Sequence, residues 1–95
     1  MEIVEYSLTI PGVANTQAVS ISTTSAQSAA VNSPNAVLYS TNDCFVIVGD
    51  NPTATTSCMP LPAGVMWRAK GWQPGQKIAA ITASGSGTLY ITPDA

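Results

Sequence analysis

Few residues in this sequence carry groups able to do chemistry. In 95 residues there are five acids (Glu2, Glu5, Asp43, Asp50, Asp94), three bases (Arg68, Lys70, Lys77), two cysteines and no histidine. Without an imidazole, Ser-His and Cys-His nucleophile schemes and His-ligated zinc all lack a required member. Asp43 and Asp50 bracket the apolar run CFVIV, and paired carboxylates serve glycoside hydrolysis and calcium binding. At about 3.3 Å per residue along a strand, roughly 20 Å would separate their backbones. They cannot share a substrate or an ion, so both read as turn residues satisfying local backbone. Cys44 and Cys58 have thirteen residues between them, which is not a metal spacing, and two ligands do not close a zinc site. They read as two small buried thiols, with a disulfide as the less favoured alternative. Ser84-Gly85-Ser86-Gly87 lacks the Gly-Lys-Ser/Thr of a phosphate loop and reads as a hairpin. The expectation is no enzyme activity, no cofactor and no metal.

The scarcity of ions extends to the whole surface. Charged residues make up 8% of the chain and the net charge is −2, against about 25% charged residues in an ordinary domain. Three scattered bases cannot neutralise a phosphate backbone, so no nucleic-acid partner is expected. The longest apolar run falls well short of the ~18 residues of a spanning helix, so no membrane partner is expected. MEIVEYSLTI begins with acids and lacks the basic and apolar regions of a signal peptide, so use without secretion by that route is expected. Ser and Thr number 21, and hydroxyls, amides and backbone must do what ions do elsewhere.

These residues must be positioned by short β-rich runs between dense Gly and Pro punctuation, the pattern of an all-β sandwich or barrel. From Ile3 to Ile10, Val4, Tyr6, Leu8 and Ile10 fall on one face and Glu5, Ser7 and Thr9 on the other, ending at Pro11-Gly12. Gln17 to Thr23 alternates similarly. Residues 24–35, polar and low in complexity, read as a surface loop. Ala36–Thr41 and Cys44–Gly49 flank Asn42-Asp43, which reads as a tight hairpin turn; CFVIV, apolar on both faces, reads as a central strand. Pro52, Pro60 and Pro62 confine any strand among them to a short or edge position. Leu61-Pro62-Ala63-Gly64 reads as a type I turn and Gln73-Pro74-Gly75-Gln76 as a type II turn. Val65–Lys70, Lys77–Ala83 and Thr88–Thr92 complete seven or eight short strands. The expected fold is a small antiparallel β-sandwich, jelly-roll or Ig-like, spanning residues 17–95. Residues 1–16 form a separate N-terminal strand, either an arm adding to a neighbour's sheet edge or a strand pairing within its own sandwich.

The second half carries a pattern: Asp43-Cys44-Phe45, Gly49, Pro52-Thr53-Ala54, LPAGV at 61–65, Pro74-Gly75-Gln76-Lys77-Ile78, and Ala83 through Thr92. With QAVSISTTSAQSAA before it, this resembles the small virion structural proteins of tailed bacteriophages, of the head-decoration or capsid-cement type, over roughly residues 17–92. The resemblance implies a location on the capsid exterior after assembly in the bacterial host cytoplasm. It implies the major capsid protein and copies of itself as partners, as a trimer or otherwise a dimer. The alternative is a head-fibre or tail-associated domain that binds host-surface glycans through Trp72, Gln73 and Gln76.

The candidate interface residues are Trp72, Arg68, Lys70, Tyr90, Glu5 and Tyr6. Trp72, between Gly71 and a turn, reads as an intersubunit contact, whereas Trp67, alternating with Val65 and Ala69, reads as core. Arg68 and Lys70 share a strand face, either simply solvated or docking on an acidic capsid patch. Tyr90 points outward between Leu89 and Ile91.

Overall fold

The computed structural model describes residues 16–71 and 73–94. The run from Ile3 to Ile10, with Glu5 and Tyr6, and Trp72 lie outside the described residues. Those described form eight strands and no helix: β1 (Gln17–Ile21), β2 (Ala26–Gln27), β3 (Asn35–Ser40), β4 (Cys44–Gly49), β5 (Met59–Leu61), β6 (Trp67–Ala69), β7 (Lys77–Ile81) and β8 (Gly87–Asp94). They build two antiparallel four-stranded sheets, in the orders β1-β8-β3-β6 and β2-β7-β4-β5. The all-β sandwich is as the sequence implies, and this order is that of a jelly roll, not an Ig-like sandwich. Pairing runs β1 with β8, β2 with β7, β3 with β6 and β4 with β5. The described strands therefore form one long antiparallel ribbon, folded at β4–β5 and rolled so that β3 also meets β8 and β4 meets β7.

Period-2 alternation decides which side chains the roll encloses. Ile21, Leu38, Leu89 and Ile91 from one sheet face Cys44, Val46, Leu61, Ile78 and Ala80 from the other, all at most 6% exposed. Ala36 and Ala80, both fully buried, keep the interior small where the sheets approach.

Rolling also overturns several local readings. Asn42-Asp43 is not a hairpin turn: β3 and β4 lie in different sheets, and the connection crosses between them. Ser40 directs that crossing. Its buried hydroxyl donates to the Asn42 carbonyl and accepts from the Asn42 amide, which bends the chain out of the sheet. Ser84–Gly87 is likewise a crossing from β7 to β8, not a hairpin. The turn after Leu61 is centred on Ala63-Gly64, with Gly64 at φ +74°; glycine there supplies the left-handed position, and the type I reading was one residue out of phase. The turn at Gln73–Gln76 is as read, with Gly75 at φ +90° and the Gln76 amide bonded to the Gln73 carbonyl at 3.0 Å.

Residues 24–35 are more than a surface loop. Ala26 and Gln27 pair with β7. Val31, only 1% exposed, donates to the Gln76 carbonyl and accepts from the Gly75 amide. A two-residue strand and a single buried valine leave no periodicity to read.

The abundant hydroxyls and amides find work in these crossings, where backbone groups leave the ladders and need partners. The Gln17 side-chain oxygen accepts from the Ala29 amide, Ser25 Oγ accepts from the Ala54 amide, and Gln27 donates to Asn51 and Pro52. Ser28 Oγ accepts from Ile78, and Thr82 Oγ1 donates to Gly85. Among the described residues, no buried side-chain nitrogen or oxygen lacks a hydrogen-bond partner.

Candidate interaction surface

Alternation that sends Leu89 and Ile91 inward sends Tyr90 outward. On the outer face of the β1-β8-β3-β6 sheet, Tyr90 stands between Ala18 and Tyr39, and Thr92 stands beside Val37, which in turn opposes Arg68. The Tyr39 and Tyr90 rings are tilted at 56° with centroids 6.4 Å apart, within the range of favourable aromatic pairs. Thr16 and Thr92 share a hydroxyl–hydroxyl bond of 2.8 Å on this face. Arg68 is exposed at its β6 margin, and Lys70 is exposed just past the end of β6. The pairing thus places Tyr90 and Arg68 on one face of one sheet, with Lys70 just past the end of β6.

A second exposed region lies at the lateral side where β5 and β6 are the last of the described strands in their sheets. Val48, Met59, Val65, Met66 and Trp67 are between 39% and 62% exposed there. Trp67 is not core. It opposes Leu38, so it does lie on the inner face as the alternation requires, but β6 is the last described strand of its sheet and the ring is 43% exposed. Between the sheets on this side opens a cleft of about 340 Å³, whose lining includes Leu38, Val46, Val48, Ile78, Arg68 and Lys70.

The other sheet also shows an apolar outer side. Phe45 lies between Pro60 and Ile81, and Ile47, 41% exposed, lies beside Ala79. β4 is central, as the run CFVIV implies, yet its outward residues stay partly exposed. Sequence reading missed Ile47, Val48, Met59, Val65 and Met66 as surface residues. For Met59 Pro60 was the available signal, since a proline in a strand marks a sheet edge and Met59 shares its strand.

The chemistry-bearing residues remain apart. Asp43 and Asp50 stand at opposite ends of β4. Asp43 caps backbone, though not locally: its Oδ1 accepts from the Ala63 amide at 2.8 Å, twenty residues on. No cluster of three or more Cys, Asp or Glu able to hold a metal occurs among the described residues. Both cysteines are free; Cys44 is buried, but Cys58 is only half-buried, beside Thr55 in the β4–β5 connection. Burial pushes the Cys44 thiol pKa up, an effect the Ser40 hydrogen bond opposes and nearby Asp43 reinforces. Gln76, one of the amides suggested for a glycan shelf, already accepts from the Gln73 backbone amide through its side-chain oxygen at 3.2 Å.

No protein-family model, curated protein or solved structure matches the chain.

Proposed function

We propose that this chain is a structural protein of a bacteriophage particle, a capsid decoration protein that binds the outer surface of the head and stabilises it without enzymatic action. The observation that carries the reading is the outer face of the β1-β8-β3-β6 sheet. It presents the Tyr39–Tyr90 pair among threonines and alanine, with Arg68 and Lys70 to one side. Aromatic anchors beside a basic rim suit protein–protein contact, here with an acidic patch of the major capsid protein. Jelly rolls occur among viral shell proteins and sugar-binding domains alike, so the fold does not choose between docking on a shell and binding a glycan; surfaces choose.

The mechanism is mass action. A protein that binds the assembled shell and not its dissociated subunits shifts the equilibrium toward the shell by the binding free energy of each copy. Purified protein added to heads that lack it should co-sediment with them and raise the temperature at which they release their genome. Heads with unchanged heat tolerance, or protein left in the supernatant, would overturn the reading.

A further inference from the structure

The exposed apolar side chains gather on one side of the sandwich. Among the described residues seven large hydrophobic side chains are exposed. Five of them, Val48, Met59, Val65, Met66 and Trp67, stand at the β5/β6 side. Val65 and Met66 lie in the crossing from β5 to β6, outside the described ladders, and Val48 and Met59 line the cleft between the sheets. At roughly 200 Å² for a fully exposed large side chain, five that are about half exposed leave about 500 Å² uncovered. An apolar patch of that size on one chain marks an interaction site. Two such patches brought together bury about 1,000 Å², the area at which a specific interface begins.

The same side offers a ring and a place for one. Trp67 is 43% exposed and does not line the cleft. Its pairing partner Leu38 does, as does Ala69 two residues on, so ring and cleft are neighbours. A cavity of about 150 Å³ already accepts a benzene ring, so a cleft of about 340 Å³ has room for an indole. Its chemistry suits one as well. The lining joins aliphatic side chains to the cations of Arg68 and Lys70. Cations are attracted to the face of an aromatic ring, and tryptophan attracts them best.

We propose that two copies of this chain pair across the β5/β6 side about a two-fold axis, each placing its Trp67 ring in the cleft of the other, against Val48 and Met59 and beside Lys70. A patch that carries both the ring and the cleft is complementary to itself, which is what a two-fold interface requires. A ring of three copies would need the two features on different sides of the molecule. An aromatic side chain seated in a pocket at the centre of an interface concentrates the binding energy in few residues. The pair leaves the Tyr39–Tyr90 face outside the contact, so it stands whatever that face docks on.

Sedimentation of the full chain over a range of concentrations tests the pairing. The native chain should form a dimer. Trp67→Ala removes the ring and keeps the cleft; Met59→Asp, at a residue 62% exposed, spoils the cleft and keeps the ring. Each should weaken the dimer by about tenfold or more while keeping the far-ultraviolet spectrum of a folded β protein. Val48→Asp replaces Met59→Asp if that variant does not fold. An equimolar mixture of the ring and cleft variants should pair more tightly than either alone, because one intact ring then meets one intact cleft. Ile47→Asp, on the outer side of the other sheet, should leave the dimer unchanged. A native chain that is monomeric at all concentrations or trimeric overturns the proposal, as does an Ile47→Asp variant weakened as much as Trp67→Ala. A mixture no tighter than its components overturns the exchange of rings. A monomer that loses attachment to heads on Trp67→Ala gives this side to the shell and overturns the pairing.

Discussion

Asp43 Oδ1 accepts a hydrogen bond from the backbone amide of Ala63, 2.8 Å away. The two residues belong to different crossings, β3 to β4 and β5 to β6. Beside this bond the Gly64 amide reaches the Ser40 carbonyl at 2.9 Å, and Asn42 Nδ2 donates to the Ser84 carbonyl in the β7–β8 crossing at 3.0 Å. A fourth crossing, β1 to β2, joins the same end through Thr82 and Ser22. One end of the roll is therefore laced by single polar contacts between segments far apart in sequence. Asp43→Ala should lower stability by about 0.5–1.5 kcal/mol, the ordinary worth of one such bond. Asp43→Asn keeps an acceptor oxygen and should lose markedly less. Urea denaturation midpoints of the two variants check this, and equal losses would refute the role of the bond.

Gly87 is fixed by space at the same end. A Cβ at this position would stand 2.7 Å from Thr41 Oγ1 and 2.9 Å from Asn42 Cβ. Thr41 cannot easily yield, because its hydroxyl accepts from the Thr88 amide at 2.9 Å and its own amide donates to the Thr88 carbonyl. Gly87→Ala should destabilise by about 1–3 kcal/mol, as overpacking does. Thermal melts of the variant check this. A control at Gly49, where an added Cβ meets only Pro52 Cβ at 3.7 Å, should show a smaller loss.

Cys44 predicts a pH dependence. Burial raises its pKa in the folded state above the ordinary value of 9.0. The sign follows from proton counts: once the unfolded chain begins to lose its thiol proton, the folded chain still holds it. The contribution is fully present below pH 9 and is lost as pH rises through the folded pKa. Stability should fall on the alkaline side of pH 9, and Cys44→Ala should show a flatter profile there. In the native protein at pH 8 a thiol reagent should modify Cys58 first and Cys44 only on unfolding. Simultaneous modification of both would contradict the burial of Cys44.

Much of the fold is legible in the sequence because alternation reports a strand's two faces directly. Leu89 and Ile91 inward with Tyr90 outward, Ile78 and Ala80 on one shared face, and a short or edge strand around Pro60 all follow from residue order. What alternation cannot report is which sheet a strand joins. Asn42-Asp43 has hairpin chemistry, yet Ser40 turns the chain across the sandwich, and in a ribbon rolled this way only β4 and β5 are both consecutive and paired. Trp67 shows the same limit for the interaction surface. Its face was readable, but its exposure goes with β6 being the last described strand of its sheet, a consequence of topology.

Tyr90 and Trp67 separate the two surfaces experimentally. Tyr90 belongs to the outer sheet face and is 42% exposed, with Tyr39 as its ring partner; Trp67 belongs to the β5/β6 margin. Neither is a fully buried anchor, so alanine at either position should cost less than the about 3–5 kcal/mol of a core aromatic. Tyr90→Ala should forfeit about 0.5–1.5 kcal/mol of ring pairing and weaken attachment to heads while leaving self-association intact. Trp67→Ala should do the reverse, weakening self-association first, because its exposed ring lies among the apolar side chains of the β5/β6 side. Co-sedimentation with heads and sedimentation of the free protein, measured on both variants, check the pair. If both substitutions impair the same property to the same degree, the two surfaces are one, and attachment and self-association cannot be assigned to separate faces of the roll.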